Sequence, residues 1–318
     1  MNLFRILPGV AAASFALALS AHSQAYCRTY TCNAKTDKCM IDPQTGCNVD
    51  GKPLYWASSV VSFDVQQDGS PLRNISYDQL HEVVVKAFQR WTDARCDDTR
   101  GPSIELVDFG KVECAKPEYN KSQPNQNVIT FHDSTWPYED TGETLAMTTV
   151  HFNPTTGELY DANIEINSNQ ANFVLDATEA DNDHDDLNAV LTHEIGHFLG
   201  LSHSFDPSAT MFTNYMPGMT TLEADDIAAI CASLPPGRMT TDPGTPPGVP
   251  RHGFSTECSK PESGCCASTI GGSSPSNGPL ALWAFGLGLL AWCGRGRRSK
   301  RRAPRERDPR HSRTANVQ

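Results

Sequence analysis

The chain has 318 residues and a formal net charge of −11, with 37 acidic against 26 basic side chains. Residues 294–318 hold ten basic and two acidic side chains, so the remainder carries 16 basic against 35 acidic, a net of −19. A body that acidic excludes binding to polyanions such as nucleic acid and favours solubility, while saying little about fold. The length allows about two domains, before terminal segments are set aside.

Residues 1–25 read as a signal peptide: Arg5 lies near the start, an apolar run extends from Val10 to Leu19, and Ser23-Gln24-Ala25 supplies a small-x-small cleavage site. The run is too short to span a bilayer, so the mature chain is expected to begin at Tyr26. Eleven cysteines in an exported chain point to disulfides more than to thiol chemistry. Cys27, Cys32, Cys39 and Cys47 crowd a segment too small for its own core. Two disulfides are expected among them, in a pairing that spacing leaves open. Further along, Cys96 and Cys114 are expected to pair, and Cys231 has no evident partner.

A catalytic-sized unit begins near Gly51, where PLYWASSVVSFDV, residues 53–65, is β-rich. Ser76 and Gln79 form a capping box, and Leu80, Val84, Ala87 or Phe88, and Trp91 recur on one face, predicting a helix over 77–94 that packs along a sheet. Ile104 to Val107 and Asn127 to Phe131 read as short strands. Leu145 to Phe152 and Leu159 to Ile166 flank the turn Asn153–Gly157 as a hairpin. Next, the run TEADNDHDDLNAV crowds Glu179, Asp181, Asp183, Asp185 and Asp186 together. Alternate aspartates can bind calcium, but the EF-hand glycine is missing, and carboxylates ahead of a helix complement its positive end. The capping role is the one expected.

Residues 192–203 read THEIGHFLGLSH. His193 and His197, four apart on a helix, point one way, with Glu194 rotated about 100° to one side. Leu187, Leu191, Ile195 and Phe198 form a buried stripe away from the histidines. Gly200 stops the helix, because glycine enters the left-handed conformation without steric cost, and the reversed chain can return His203 to the same ion. Three neutral imidazoles are a zinc-like set, and an open fourth position distinguishes a catalytic zinc from a structural one. Water held there has its pKa lowered to about 7. Glu194 can accept its proton during attack on a carbonyl and then pass a proton to the leaving amine. The implied reaction is peptide hydrolysis without a covalent intermediate. A bare HExxH is often an accident of an amphipathic helix; Gly200 and His203 in register make that reading much weaker.

The spacing HExxHxxGxxH followed by a methionine is the metzincin pattern, and LGLSHSFDPSATMFTNY, residues 199–215, resembles the matrixin branch. The resemblance implies an α/β (α+β) zincin fold: a twisted, mostly parallel sheet with an antiparallel edge strand and three main helices. It implies His193, His197 and His203 as metal ligands, Glu194 as the catalytic base, one catalytic Zn2+, and Ca2+ as a possible second cofactor. Met211 takes the place of the turn methionine beneath the metal, and Tyr215 also falls in its matrixin place. Thr213 stands where matrixins usually carry proline, so the wall of the specificity pocket departs from the pattern. The strand at Leu145 to Phe152 takes the place of the sheet edge beside the cleft, where a substrate peptide adds as a strand. Structural-zinc histidines are not recognisable; His132, His151 and His184 stand as isolated residues. No latency segment of the PRCGxPD kind is evident. The pair Asp225-Asp226 falls where the family's last helix can hold the mature amino terminus.

Thr220 and Glu223 form a second capping box, predicting a helix through about Ser233 with Leu222, Ile227, Ile230 and Leu234 inward. Residues 236–277, rich in Pro, Gly and Ser, read as a linker. Leu280 to Trp292 is apolar and runs into Arg295, Arg297, Arg298, Lys300, Arg301 and Arg302, an arrangement that inserts with its basic end in the cytoplasm. With Gly264-Cys265-Cys266 ahead of it, the segment 278–318 resembles myxobacterial carboxy-terminal sorting signals. That implies membrane contact before processing, then a cell-surface or secreted product. The sum is an exported, monomeric zinc endopeptidase with one domain over 51–235, acting on protein or peptide substrates. An exopeptidase or amidase on the same site is the rival enzyme reading. A surface module merely stabilised by zinc is the non-enzymatic one, and an intact Glu194 speaks against it.

Overall fold

The computed structural model describes residues 25–33, 36–138, 144–181, 183–238, 246–259 and 313–317. Its elements in chain order are strands β1 (Cys27–Arg28), β2 (Tyr55–Trp56) and β3 (Val60–Gln66), helix α1 (Tyr77–Thr92), and strands β4 (Glu105–Val112), β5 (Val128–Phe131), β6 (Ala146–Phe152), β7 (Glu158–Ile166), β8 (Phe173–Val174) and β9 (Asp185–Asp186). Helix α2 (Leu187–Phe198), strand β10 (Leu201–Ser202), helix α3 (Ala224–Ser233) and strand β11 (Arg313–Val317) complete the order. The signal-peptide run, the apolar segment after 278 and most of the basic tail lie outside the described residues. Among those described, no helix is long and apolar enough to cross a membrane.

The main sheet runs β11-β6-β7-β5-β3-β4, with β2 pairing the start of β7. Pairs β3–β4, β3–β5 and β5–β7 are parallel, whereas β6 and β11 are antiparallel to their neighbours. This is the mixed α/β sheet with an antiparallel edge that the family resemblance implied. The strand expected at the edge, β6, carries β11 on its outer side, Val317 opposite Thr148 and Arg313 opposite Phe152.

Alternation along β3 sends Val61, Phe63 and Val65 into the apolar core and Ser62, Asp64 and Gln66 to the other face, all six buried. The core side is filled by α1, whose capping box at Ser76 and Gln79 forms as expected and whose buried stripe is Leu80, Val83, Val84, Ala87, Phe88 and Trp91. Behind α1 lies α2, likewise apolar along the face it buries. Trp91 Nε1 donates to the carbonyl of Thr192 at 2.8 Å, which locks α1 to α2 beside His193. Trp56 Nε1 donates to the carbonyl of Phe198 at 2.9 Å and holds the other end of α2. The last helix starts later than Thr220 suggested: its cap is Glu223, whose box partner is Asp226.

Among the described residues, four disulfides are present. Cys27–Cys47 and Cys32–Cys39 close the amino-terminal knot, so all four early cysteines are oxidised. The expected Cys96–Cys114 bond does not form. Instead Cys96 joins Cys231 and Cys114 joins Cys258, at separations of 135 and 144 residues. The reason is topological: Cys96 follows α1 and meets α3, whereas Cys114 follows β4, where the amides of Glu113 and Cys114 donate to the Thr256 carbonyl. Part of the Pro/Gly/Ser-rich stretch thus packs on the sheet, with Gly248 bridged to Val61 and Phe254 to Asn125.

The isolated histidines are absorbed by carboxylates: His132 by Glu165 at 2.6 Å, His151 by Asp161 at 2.7 Å, and His184 by Asp181 at 2.8 Å. Among the described residues, Asp64 has no such basic partner. Burial, with Asp108 and Asp161 adding negative charge, pushes its carboxyl up to about 7 against the pull of the Asn127 amide. A carboxyl raised above its unfolded value costs nothing below about pH 4, where both states are protonated, and penalises the fold increasingly as pH climbs toward 7. The penalty is of the order of 4 kcal/mol at most. Thermal melts of Asp64→Asn against the parent should therefore shift in favour of the variant between pH 4 and 7. A difference that stays constant with pH would rule this out.

Candidate metal centre

Two of the three ligand candidates come from one helix. The side chain of Asp186 caps α2 by accepting from the Asn188 amide at 2.9 Å, so this end of the acidic run acts as the expected cap. His193 and His197 then fall one turn apart, with ring centroids separated by 4.8 Å. The helix ends at Leu199, and Gly200 takes φ +93°, where an added Cβ would press on the Leu54 carbonyl at 3.2 Å. The chain reverses into β10 and brings the ring of His203 to 5.2 Å from His193 and 4.8 Å from His197. One nitrogen from each ring lies within 4.8 Å of the other two.

The outer nitrogens fix the tautomers. Nδ1 of His193 donates to the Thr210 carbonyl at 2.7 Å, and Nδ1 of His197 donates to the Leu201 carbonyl at 2.9 Å. Carbonyls only accept, so each Nε2 keeps its lone pair for the centre. Burial pushes the imidazole of His193 below its usual pKa, and that of His197 well below, with His193 and His203 adding to the effect. Neutral donors are what a divalent ion needs. A tetrahedral ion with zinc–nitrogen bonds of about 2.0–2.1 Å sets its ligand nitrogens roughly 3.3 Å apart. Nε2 of His197 and Nε2 of His203 stand 3.3 Å apart. The donor set therefore fits zinc in chemistry, and the His197–His203 pair fits it in spacing.

Glu194 is buried, and desolvation raises its carboxyl to about 7, although hydrogen bonds from Thr148 pull the other way. Thr148 Oγ1 donates to Glu194 Oε2 at 2.6 Å. Glu194, His193 and His203 line a cavity of about 610 Å³ whose other walls include Leu145, Val190, Tyr215, Met216 and Met219. The hydroxyl of Tyr215 accepts from the Asp186 amide, tying that wall to the start of α2.

Met211 lies beneath the centre, 1% exposed. A Cβ on Gly196 would sit 2.2 Å from Met211 Sδ and 2.9 Å from Trp91 Cζ2, so the glycine inside the motif is required by the turn below it. The acidic pair at the head of α3 divides its work. Asp226, fully buried, accepts from the amides of Thr210 and Met211 at 2.8 and 3.0 Å and so clamps the methionine turn. Asp225 Oδ1 accepts from the amides of Ala25 and Tyr26 at 2.9 and 3.1 Å, and its Oδ2 from Ser204 Oγ at 2.6 Å. Sequence reasoning gave Thr148 and Asp226 no part in this centre. The available signals were a hydroxyl on the otherwise apolar core face of a strand and an acid inside the first turn of a helix with an apolar face.

The family model for Matrixin matches residues 55–233, more than half of the chain. This chain belongs to the matrixins. It is similar to the interstitial collagenase of Sus scrofa, at 29% identity over 178 residues, which cover 54% of this chain and 32% of that protein. Matrix metalloproteinase-C of Caenorhabditis elegans is 25% identical over 191 residues, 56% of this chain and 28% of its own. Matrilysin of Homo sapiens is 30% identical over 184 residues, 55% of this chain and 57% of its own. The matched part thus spans less than two thirds of each of these relatives. Membership places residues 55–233 in a family of peptidases.

Gly196→Ala is expected to force Met211 out of its seat, an overpacking cost of about 1–3 kcal/mol. Both the melting temperature and the zinc bound per chain should fall, as read by calorimetry and elemental analysis. An unchanged melt with full zinc would show that the turn has room the contacts deny.

Proposed function

We propose that this matrixin is an exported zinc endopeptidase in which His193, His197 and His203 hold the metal and Glu194 is the general base. The observation that carries the reading is the convergence of three imidazoles with a buried carboxylate at one wall of an apolar cleft. Zinc, when bound, supplies Lewis acidity that polarises the scissile carbonyl and acidifies water. The chain supplies the rest. Glu194 takes the proton of the attacking water and delivers it to the departing amine. Oε2 is engaged by Thr148, so Oε1 is the oxygen assigned to the proton.

Substrate adds as an extended strand along β6. In support, the outer side of β6 accepts an antiparallel strand, as its pairing with residues 313–317 illustrates, and a substrate there takes the place of that segment. Main-chain pairing needs no free terminus, which favours internal cleavage over an exopeptidase. The walls Leu145, Val190, Met216 and Met219 favour a large apolar side chain beside the scissile bond. Four disulfides suit an oxidising compartment and support export. We assign residues 51–235, together with the 246–259 stretch that packs on their sheet, to the catalytic unit, 26–50 to a disulfide-closed segment and 278–318 to a sorting segment.

The test is hydrolysis of casein and of a peptide library by purified protein. Cleavage should be internal and next to large apolar residues, stop on chelation, and return with zinc. Glu194→Gln should lower kcat/KM by at least about 100-fold with its zinc retained. A zinc-loaded wild type without activity, or a Glu194→Gln variant as fast as its parent, would defeat the proposal. Dependence on a free substrate terminus would turn it toward an exopeptidase.

A further inference from the structure

Strand β6 presents alternate side chains to the core, and Ala146 and Val150, two residues to either side of Thr148, both belong to it. Thr148 itself is fully buried. A hydroxyl in that position is costly unless it finds an acceptor, and alanine or valine would fill the place without the problem. Both acceptors within reach belong to Glu194: the carboxylate oxygen Oε2 at 2.6 Å and the main-chain carbonyl at 3.1 Å. The shorter contact lies in the range of an O–H···O− bond, which is stronger than a neutral one. The longer contact ties the same hydroxyl to the backbone of α2, so the carboxylate is referenced to its own helix.

We propose that Thr148 is a positioning residue, which holds one oxygen of the Glu194 carboxylate so that the other faces the cleft. The inference rests on the role of Glu194 proposed above. A glutamate has three rotatable bonds and loses side-chain entropy when held in one rotamer. Rate falls steeply when a catalytic group strays from its working geometry. An anchor on the neighbouring strand keeps that ordering in place before substrate arrives. A merely structural hydroxyl would instead stitch β6 to α2, and its loss would lower stability without slowing each folded molecule.

The variants that separate these are Thr148→Val and Thr148→Ala, which lack the hydroxyl, and Thr148→Ser, which keeps it. All are compared with wild type and Glu194→Gln for kcat, KM, zinc content, melting temperature and the crystallographic orientation of residue 194. The expected result is a kcat about tenfold lower or more in the valine and alanine variants. KM should stay within about twofold and kcat of the serine variant within about threefold of wild type. Zinc stays bound, and the Glu194 carboxylate leaves its place beside β6 unless the hydroxyl is present. The proposal is overturned by a hydroxyl-free variant with wild-type kcat per folded, zinc-loaded molecule, by a serine variant as slow as valine, or by a Glu194 that does not move. Loss of folding or zinc in both hydroxyl-free variants, with serine normal only in stability, also overturns it, as a structural stitch. If wild type is inactive or Glu194→Gln is as active as wild type, it is the peptidase reading that fails, and the orientation of Glu194 still decides what Thr148 holds.

Discussion

His193 and His197 share a helix, and their meeting follows from the helical repeat alone. His203 lies beyond a chain reversal, and the rest of the centre depends on holding that reversal still. Gly200 makes the turn, at a φ that other residues resist. The bracing comes from outside the motif. The amino-terminal knot pairs Cys27 with Ser202 and Arg28 with Leu201, the Thr29 amide donates to the Gly200 carbonyl, and Thr29 Oγ1 donates to the Leu201 carbonyl. The disulfide Cys27–Cys47 closes the strand that makes these contacts. The cysteine-dense segment thus acts as a back support for the third histidine. All four of its cysteines are oxidised.

Below the centre the same logic continues in electrostatic form. Asp226 is buried, and burial raises its carboxyl, yet three main-chain amides, those of Thr210, Met211 and Glu223, donate to it and favour the ionised form. The carbonyl of Thr210, one atom group away from this clamp, receives Nδ1–H of His193. A chain of contacts therefore runs from the head of α3, through the methionine turn, to the tautomer of His193. Asp225, its neighbour, reaches the entry of the knot and Ser204, one residue past His203. Two adjacent acids in one helical turn hold both the turn that receives His193 and the segment that follows His203.

The sheet plays a quieter part. Trp56 from β2 and Trp91 from α1 each donate an indole N–H to a carbonyl of α2 and so hold that helix in place. The sheet's antiparallel side brings β6 against Glu194. Buried acids on the face away from the helices, Asp64 and Asp161 among them, give the fold a cost that rises with pH, offset by Asn127, Asn163 and His151. Glycine 196 shows how close the fit is between these layers, because one added methyl group would meet both Met211 and Trp91.

Local order was readable in the residues themselves. The capping box at Ser76, the apolar stripe of α1, the strands of the hairpin around Asn153–Gly157 and the spacing of the three histidines all follow from backbone periodicity and side-chain type, which act over a few residues. The cap of α3 was misplaced by three residues, because Thr220 and Glu223 satisfy the same pattern as Glu223 and Asp226. What pairs across the chain was not readable. Cys96 with Cys231, Cys114 with Cys258, and residues 313–317 beside β6 join positions separated by more than a hundred residues, where no periodicity carries information. The same holds for Thr148. Its hydroxyl looks like any other on a strand until a helix 46 residues later sets a carboxylate against it. Chemistry that depends on neighbours along the chain belonged to the sequence; chemistry that depends on neighbours in space was decided only when the layers packed.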